Sequence, residues 1–313
     1  MKKILLLVFA LSVNHSQSQT AYSIDTTYTI KSTYAKLIKK YPFIKIAEAK
    51  KDENVDQIYD IVYNKQKERA LHLDSFVNSK KEKRNPVVIL IHGGGWKSGN
   101  KNQMWVLAQE IASRGYACFA VEYRLSPEAK YPQAIYDVKN AIKFIKDNAK
   151  RFHADPNKIA ILGCSSGGQM AALIGTTNED LAFEDTNNTS KTSSKVNAII
   201  DIDGILAFKH PESNEGEMAA FWLNGTYEEN PENWNKASAL NHANKNTPPI
   251  LFINSSFERF HAGRDDMIAI LNQNTIYSEV KTIANTPHSF WFFEPWLQET
   301  VAYTTQFLDK IFK

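Results

Sequence analysis

Residues 86–99 decide the fold; they read Pro-Val-Val-Ile-Leu-Ile-His-Gly-Gly-Gly-Trp-Lys-Ser-Gly. The apolar run at residues 87–91 shows no alternation of polar and apolar side chains, and it is followed by His92 and three glycines. A strand with one face in water would alternate. The run therefore predicts a strand that is buried on both faces, and such strands belong to parallel sheets covered by helices.

Strand-like and helical segments alternate along the rest of the chain. Strands are predicted at residues 87–91, 116–122, 158–163, 198–202, 250–254 and 278–283. Helices are predicted at residues 103–114, at 131–151, from about 166 onward, and at 295–311. This order predicts an α/β fold with a mostly parallel central sheet and helices on both faces. We expect residues 20–313 to form a single catalytic domain.

The part of the chain before residue 86 follows other patterns. Residues 22–54 are polar and are predicted to be helical with a break at Pro42. Residues 57–63 and 69–76 alternate as an antiparallel strand pair would. Residues 1–19 combine two lysines with a short apolar run, which is typical of a signal peptide. The run is too short to cross a bilayer of about 30 Å. We therefore expect a secreted or periplasmic protein without a membrane span.

Composition excludes several classes of function. Apolar residues make up 43% and charged residues 23% of the chain, which is the globular range. The net charge is only +3, and Lys and Arg are spread out, so the basic stripe of a nucleic-acid-binding protein is missing. Cys118 falls in a predicted buried strand and Cys164 directly follows another, one residue before Ser165, so both are expected to be buried, unpaired thiols. No spacing matches a zinc motif such as H-E-x-x-H, so no metal or other cofactor is expected.

The strongest chemical signal is Gly163-Cys-Ser-Ser-Gly167, which stands between a predicted strand and a predicted helix. A serine at such a turn takes a strained backbone conformation, and small flanking residues prevent a clash between strand and helix. The turn lifts the hydroxyl above the sheet edge at a helix N-terminus, where developing negative charge is favoured. Ser165 is therefore predicted to be a nucleophile rather than an ordinary turn residue.

The glycines at residues 93–95 supply a second, independent signal. Glycines at a strand exit leave backbone N–H groups free to bind a tetrahedral oxyanion. We expect Gly94, Gly95 and the N–H of Ser166 to form this oxyanion hole. A phosphate cradle is the alternative, but the Lys-Ser/Thr of a P-loop and the G-x-G-x-x-G pattern are both missing.

His288 is the predicted general base. It follows the last predicted strand and precedes the final helix, which suits the chain order of nucleophile, acid and base. The sequence does not single out one carboxylate as the acid that would orient His288. Glu258, in the loop after residues 250–254, stands where the acid is commonly found and can orient a histidine. Asp203, Asp265 and Asp266 remain open as alternatives.

These motifs together resemble the α/β-hydrolase superfamily, in particular its secreted carbohydrate esterases (feruloyl, acetyl-xylan and pectin esterases), which are related to hormone-sensitive-lipase-like enzymes. The resemblance covers residues from about 34 to the C-terminus. Its carriers are His92-Gly-Gly-Gly-Trp-Lys-Ser-Gly99, Tyr123-Arg-Leu-Ser-Pro-Glu128, Tyr131-Pro-Gln-Ala-Ile-Tyr-Asp-Val138, Gly163-Cys-Ser-Ser-Gly-Gly168, Asn224-Gly-Thr-Tyr-Glu-Glu-Asn-Pro231, Lys236-Ala-Ser-Ala239 and Pro248-Pro-Ile-Leu251. Two positions depart from the family pattern: Ser166 stands where Ala is usual, and Glu258 stands where Asp is usual.

The sequence and the resemblance together predict a serine esterase. It would remove short acyl groups, acetyl or else feruloyl or methyl esters, from plant polysaccharides or small esters. Trp96 and Trp291 are expected to bind the substrate, because sugar rings stack on aromatic faces; ordinary core packing is the alternative for each. A lipase or general carboxylesterase, and a non-catalytic carbohydrate-binding homologue, are the alternative functions. The sequence does not indicate an oligomeric state.

Overall fold

The computed structural model describes residue 25 and residues 27–66, 69–80 and 83–313. The predicted signal peptide at residues 1–19 lies outside this part of the chain. Among the described residues, no helix is both long and apolar enough to cross a membrane.

Ten strands are present in the described residues, and eight of them form one sheet. They are β1 (Lys45–Ile46), β2 (Val55–Lys65), β3 (Ala70–Asn78), β4 (Asn85–Ile91), β5 (Ala117–Val121), β6 (Ala154–Cys164), β7 (Ala198–Ile202), β8 (Ile250–Asn254), β9 (Ser278–Thr282) and β10 (Phe293–Glu294). The order in the main sheet is β2-β3-β5-β4-β6-β7-β8-β9. Six neighbouring strands of this sheet, β5, β4, β6, β7, β8 and β9, run parallel. Strand β3 is antiparallel to both of its neighbours, β2 and β5. The predicted α/β class and the antiparallel pair are confirmed.

Helices cover both faces of this sheet. They are α1 (Ile30–Leu37), α2 (Trp105–Ala112), α3 (Gln133–Asp147), α4 (Ser166–Thr176), α5 (Gly216–Trp222), α6 (Pro231–Ala237), α7 (Arg264–Gln273) and α8 (Trp296–Phe312). Side chains of α2 and α8 enter one apolar core, and those of α3, α4 and α7 enter the other. Along β4, Val87, Ile89 and Ile91 face the α3 core, while Val88 and Leu90 face the α2 core. This two-sided burial is the reason for the unbroken apolar run.

The N-terminal prediction is only partly right. Residues 30–37 form α1, and a capping box formed by Thr29 and Ser32 stabilises its N-terminus. The helix ends well before Asn54, and the chain continues into β1, which pairs with β10 near the other end of the chain. Long-range pairing therefore overrides the local helical pattern after Leu37. Both cysteines are buried and unpaired, as expected.

The carboxyl ends of the central parallel strands bring the chemical groups together. The amide of Ser165, just past β6, donates to the carbonyl of Ile202 at 2.8 Å, and the amide of Asp203, just past β7, donates to Ile253 at 3.1 Å. The ladder thus continues one residue beyond each strand. As a result, Ser165 and Asp203 lie side by side at the carboxyl ends of the adjacent strands β6 and β7.

Candidate active site

Ser165 sits on a tight turn between β6 and α4. Its backbone has φ 56° and ψ −123°, a left-handed conformation that costs free energy for a non-glycine residue. The turn is possible because Gly163 has no side chain: a Cβ there would lie 1.9 Å from the carbonyl oxygen of Gly167. The strand and the helix therefore meet closely enough to hold the serine above the sheet edge. The hydroxyl of Ser165 lines an open cleft.

His288 lies beside this hydroxyl, in the connection that follows β9. Its Nε2 accepts a hydrogen bond from Ser165 Oγ at 2.8 Å. Two aromatic rings fix the imidazole: Phe260 stacks on it at 3.4 Å between centroids, and Trp291 meets it edge-on at 5.4 Å. The imidazole is therefore held in one orientation toward the serine.

Asp203 completes a chain of three side chains. Its Oδ2 accepts the Nδ1–H of His288 at 2.9 Å, and its Oδ1 accepts the amide of Ser255 at 2.7 Å and the Nε2–H of His261 at 3.3 Å. Burial by itself would raise the pKa of this carboxyl, but the hydrogen bonds from the two histidines outweigh burial and lower the pKa. Asp203 is therefore ionised, and both of its oxygens accept hydrogen bonds from neighbouring residues.

The structure corrects the choice of acid: Asp203, not Glu258, contacts His288. Glu258 is exposed because it begins a short 3₁₀ turn, Glu258–Phe260, which directs Phe260 rather than Glu258 toward the imidazole. The remaining alternatives are used elsewhere. Asp265 pairs with Arg264 at 2.8 Å, and Asp266 contacts His210 at 2.9 Å.

The glycine-rich loop after β4 packs directly against the nucleophile turn. A Cβ on Gly93 would lie 2.8 Å from the carbonyl oxygen of Cys164, so the contact requires glycine. Gly94 and Gly95 have φ of 125° and 59° and line the cleft together with Ser165 and Ser166. No hydrogen bond joins the amide of Gly94 or Gly95 to an acceptor among the described residues. These amides are free to donate to a ligand.

His92 supports this loop and does not act as a base. Its ring stacks on Tyr123 at 4.4 Å between centroids, and its Nδ1–H donates to the carbonyl of Gly93 at 2.7 Å. Tyr123 Oη donates to the carbonyl of His92 at 2.9 Å. Burial lowers the pKa of His92 to about 4, so the ring is neutral near pH 7.

The two tryptophans expected to bind substrate are core residues, which is a second correction. The Trp291 side chain is 2% exposed and lies outside the lining of the cleft. Trp96 is 6% exposed; it reaches the cleft wall, but its ring stacks on Trp222 at 4.9 Å and its Nε1 donates to Gln169 at 2.9 Å. Their flat faces are covered by other side chains, so neither offers a platform for a sugar ring.

Sequence reasoning missed two residues of the site. Phe260, which stacks on His288, carried no local signal, because nothing in its surroundings distinguishes it from a core phenylalanine. His261, which contacts Asp203, was recognisable only as a loop histidine. Both follow β8, in the loop where the sequence suggested the acid.

The cleft over Ser165 has a volume of about 430 Å³. Its walls come from the glycine loop, α1, the segment before α5, and the turn that carries Phe260. No cluster of three or more His, Cys, Asp or Glu side chains suited to a metal occurs in the part of the chain that the structure describes. The chemical groups that line the cleft are the Ser165 hydroxyl, the His288 imidazole, the Asp203 carboxylate and the backbone amides of the glycine loop.

A mostly parallel sheet with a serine at a strand-to-helix turn and a histidine hydrogen-bonded to it defines the α/β-hydrolase fold. Solved structures share this fold: esterase B from Lactobacillus Rhamnosis superposes with a TM-score of 0.71 at 20% identity, covering 90% of this chain and 93% of its own. A truncated carbohydrate esterase from gut microbiota gives a TM-score of 0.68 at 20% identity, covering 84% of this chain and 100% of its own.

The chain belongs to the BD-FAE family, whose model matches residues 73–275. Among curated proteins, esterase LipC of Mycobacterium tuberculosis is 29% identical over 208 residues, which cover 64% of this chain and 49% of the relative. The chain thus spans about half the length of the first curated relatives it matches.

Proposed function

We propose that the protein is a serine esterase that hydrolyses short-chain acyl esters. The observation that carries the proposal is the hydrogen-bonded series Ser165–His288–Asp203, with distances of 2.8 and 2.9 Å, at the floor of an open cleft. Membership of the BD-FAE family and similarity to curated esterases support the same class of reaction.

The first half-reaction transfers the acyl group to the enzyme. His288 Nε2 takes the proton of Ser165 as Oγ attacks the ester carbonyl carbon. The amides of Gly94, Gly95 and Ser166 donate to the carbonyl oxygen as it becomes an oxyanion, each donor lowering the barrier by about 3–4 kcal/mol. Asp203 stabilises the imidazolium. His288 then returns the proton to the leaving alcohol, and an acyl-serine remains.

Water completes the second half-reaction. His288 takes a proton from the water molecule, hydroxide adds to the acyl carbonyl, and Ser165 leaves with the proton that His288 gives back. Met218 of α5 lies over Gly95 and narrows the cleft beside the proposed oxyanion hole: a Cβ on this glycine would be 2.6 Å from the methionine sulfur. We propose acetyl groups on a carbohydrate as the substrate class, in line with the neighbouring carbohydrate esterase structure.

The test compares hydrolysis of 4-nitrophenyl acetate, butyrate and octanoate by wild type and Ser165→Ala. We expect wild type to prefer acetate and Ser165→Ala to lose about 10⁴-fold or more in kcat. Ser126→Ala is the control, because the Ser126 hydroxyl is buried, does not line the cleft and has no hydrogen-bond partner among the described residues. Full activity in Ser165→Ala, or an inert wild type on every ester, would overturn the proposal.

A further inference from the structure

Two histidines share one carboxylate in the site. His288 donates from Nδ1 to Asp203 Oδ2 at 2.9 Å, and Nε2 of His261 lies 3.3 Å from Asp203 Oδ1. Because the ionised carboxylate of Asp203 can only accept hydrogen bonds, the ring nitrogen of His261 that faces it carries the proton. His261 is thus a second imidazole donor on the carboxylate that supports the base, although ester hydrolysis itself uses only His288.

The backbone fixes the position of His261. Its amide donates to the carbonyl of Glu258 at 2.7 Å, and its carbonyl accepts the amide of Arg264 at 2.8 Å, so the chain is held on both sides of the residue. The residue is 8% exposed, and its Nδ1 has no hydrogen-bond partner among the described residues. A second proton can therefore be added at Nδ1 without breaking the contact between Nε2 and Asp203.

Asp203 depends on the donors that hold its side chain. Its backbone has a φ of 52°, in the left-handed region, which costs free energy for a residue other than glycine. His261 and the amide of Ser255, the latter at 2.7 Å, both donate to Oδ1 and so fix the plane in which Oδ2 meets His288. Without His261, only the Ser255 amide would hold Oδ1, and the carboxylate could turn away from the imidazole.

The two imidazoles have a single negative charge between them. Asp201, on the same strand end as Asp203, stays protonated, because burial and the charge of Asp203 raise its pKa. The carboxylates of Glu212 and Asp265 have cationic or histidine partners of their own, at 3.5 and 2.8 Å. The other titratable or charged groups on the elements around His261 are Cys164, Glu258, Arg259 and Arg264.

We infer that His261 is a positioning residue of the active site: it holds the Asp203 carboxylate in place for His288, and it competes with His288 for the charge of that carboxylate when it is protonated. One carboxylate balances one imidazolium, so a proton on His261 opposes a proton on His288. The base therefore stays free of a proton to lower pH than it would with Asp203 to itself. The inference rests on the proposed esterase activity and concerns how its base is maintained.

The experiment compares Ser165-dependent hydrolysis of 4-nitrophenyl acetate by wild type, His261→Gln and His261→Asn. The glutamine amide can place an N–H at the position of Nε2, whereas the asparagine amide reaches only as far as Nδ1. The two variants therefore differ in whether they can donate to Asp203, and neither can be protonated. His242→Gln is the matched control, because His242 also lies at a 3₁₀ turn and donates from Nε2, to the carbonyl of Lys236 at 2.9 Å, but does not line the cleft.

At about pH 8, where histidines are ordinarily neutral, only the hydrogen bond matters. We expect His261→Asn to lose about tenfold in kcat with little change in KM, because one of three hydrogen bonds to a charged group is lost. His261→Gln should recover most of this loss. In an Asp203→Asn background, His261→Asn should have almost no further effect on kcat, because the two residues act as a unit.

The pH profile of kcat/KM tests the competition for charge. The acid limb of His261→Gln should lie at higher pH than that of wild type, by up to about one pH unit, because no proton on residue 261 then opposes the proton on His288. The profile of His242→Gln should coincide with that of wild type. The comparison remains decisive if His261→Asn does not fold, since it needs only the glutamine variant.

Any of three results would overturn the inference. Equal values of kcat for the glutamine and asparagine variants at about pH 8 would show that no donor is needed at this position. An unreduced loss in the Asp203→Asn background would show that His261 does not act through Asp203. An acid limb of His261→Gln that coincides with wild type would show that the histidines do not compete. Each result leaves hydrolysis by wild type intact, whereas failure of the proposed esterase activity appears as an inert wild type.

Discussion

Asp203 and His288 form the most constrained pair of residues in the site. The carboxylate is buried, and both of its oxygens are occupied by donors from three different residues. The imidazole is held between Phe260 and Trp291. Because neither group needs to reorganise when charge develops on the imidazole, the pair is suited to stabilise that charge at little cost.

At the residue scale, Asp203→Asn should lower kcat by about 10²- to 10⁴-fold, because the amide stabilises an imidazolium poorly and favours the wrong tautomer of His288. Glu258→Gln should leave kcat within about twofold of wild type. Steady-state kinetics on 4-nitrophenyl acetate compares the two variants. A large effect of Glu258→Gln, with Asp203→Asn close to wild type, would show that the acid comes from the loop after β8.

Asp201 predicts a pH dependence of stability. Burial, reinforced by the charge of Asp203, raises the pKa of the Asp201 carboxyl well above its usual value. Its Oδ1 accepts the amide of Gly204 at 2.9 Å, and its Oδ2 has no partner among the described residues. The folded protein thus keeps a proton that the unfolded chain releases above about pH 4. Stability is therefore lost as the pH rises from there toward the folded pKa.

Asp201→Asn removes this titration. The free energy of unfolding of the variant relative to wild type should rise with pH above about 4 until the pH reaches the folded pKa, by at most about 1.4 kcal/mol per pH unit. Chemical denaturation at several pH values measures the difference. Asp56→Asn, at an exposed position, serves as the control. A difference between Asp201→Asn and wild type that stays constant with pH would mean that Asp201 is ionised in the folded protein.

At the element scale, the contact between β6 and α4 determines where the nucleophile stands. Gly163→Ala should destabilise the protein by about 3 kcal/mol or more, because the new Cβ would meet the backbone of Gly167, which cannot move without displacing Ser165. Gly175→Ala, in α4, should lower the free energy of unfolding by less, because its Cβ would meet side-chain atoms of Ile199 and Pro248 rather than backbone. Thermal and chemical denaturation test this order. Equal losses would show that the turn relaxes more easily than its geometry suggests.

At the scale of the whole molecule, stability rests on two apolar cores separated by one sheet. Ile142 of α3 lies in one core and Phe307 of α8 in the other, and both side chains are almost completely buried. Since they share no core, the effects of truncating them should be independent.

Ile142→Ala should lower the free energy of unfolding by about 2–5 kcal/mol and Phe307→Ala by about 3–5 kcal/mol, as cavity-forming substitutions do. In the double variant the two losses should add to within about 0.5 kcal/mol. Equilibrium unfolding in urea, followed by tryptophan fluorescence and by circular dichroism, measures all three. A loss in the double variant that clearly departs from the sum of the two single losses would show that the two cores are coupled.

Local patterns in the sequence were sufficient to predict most of the fold. The strands at residues 198–202 and 250–254 have the predicted bounds, because a strand buried on both faces must be apolar throughout. The chain after Leu37 is the exception: its local pattern is helical, but pairing of β1 with the distant β10 determines its structure.

The sequence alone determined two residues of the site, Ser165 and His288, because both carry strong local signals. Ser165 lies in a motif whose glycines have a direct steric reason, and His288 is marked by its position after the last parallel strand. Only the tertiary structure decided that Asp203 contacts His288 and that Trp96 and Trp291 are covered. Asp203 and His288 are 85 residues apart in the chain. Which of several carboxylates reaches the imidazole depends on how neighbouring strand ends and loops pack, and no local pattern records that.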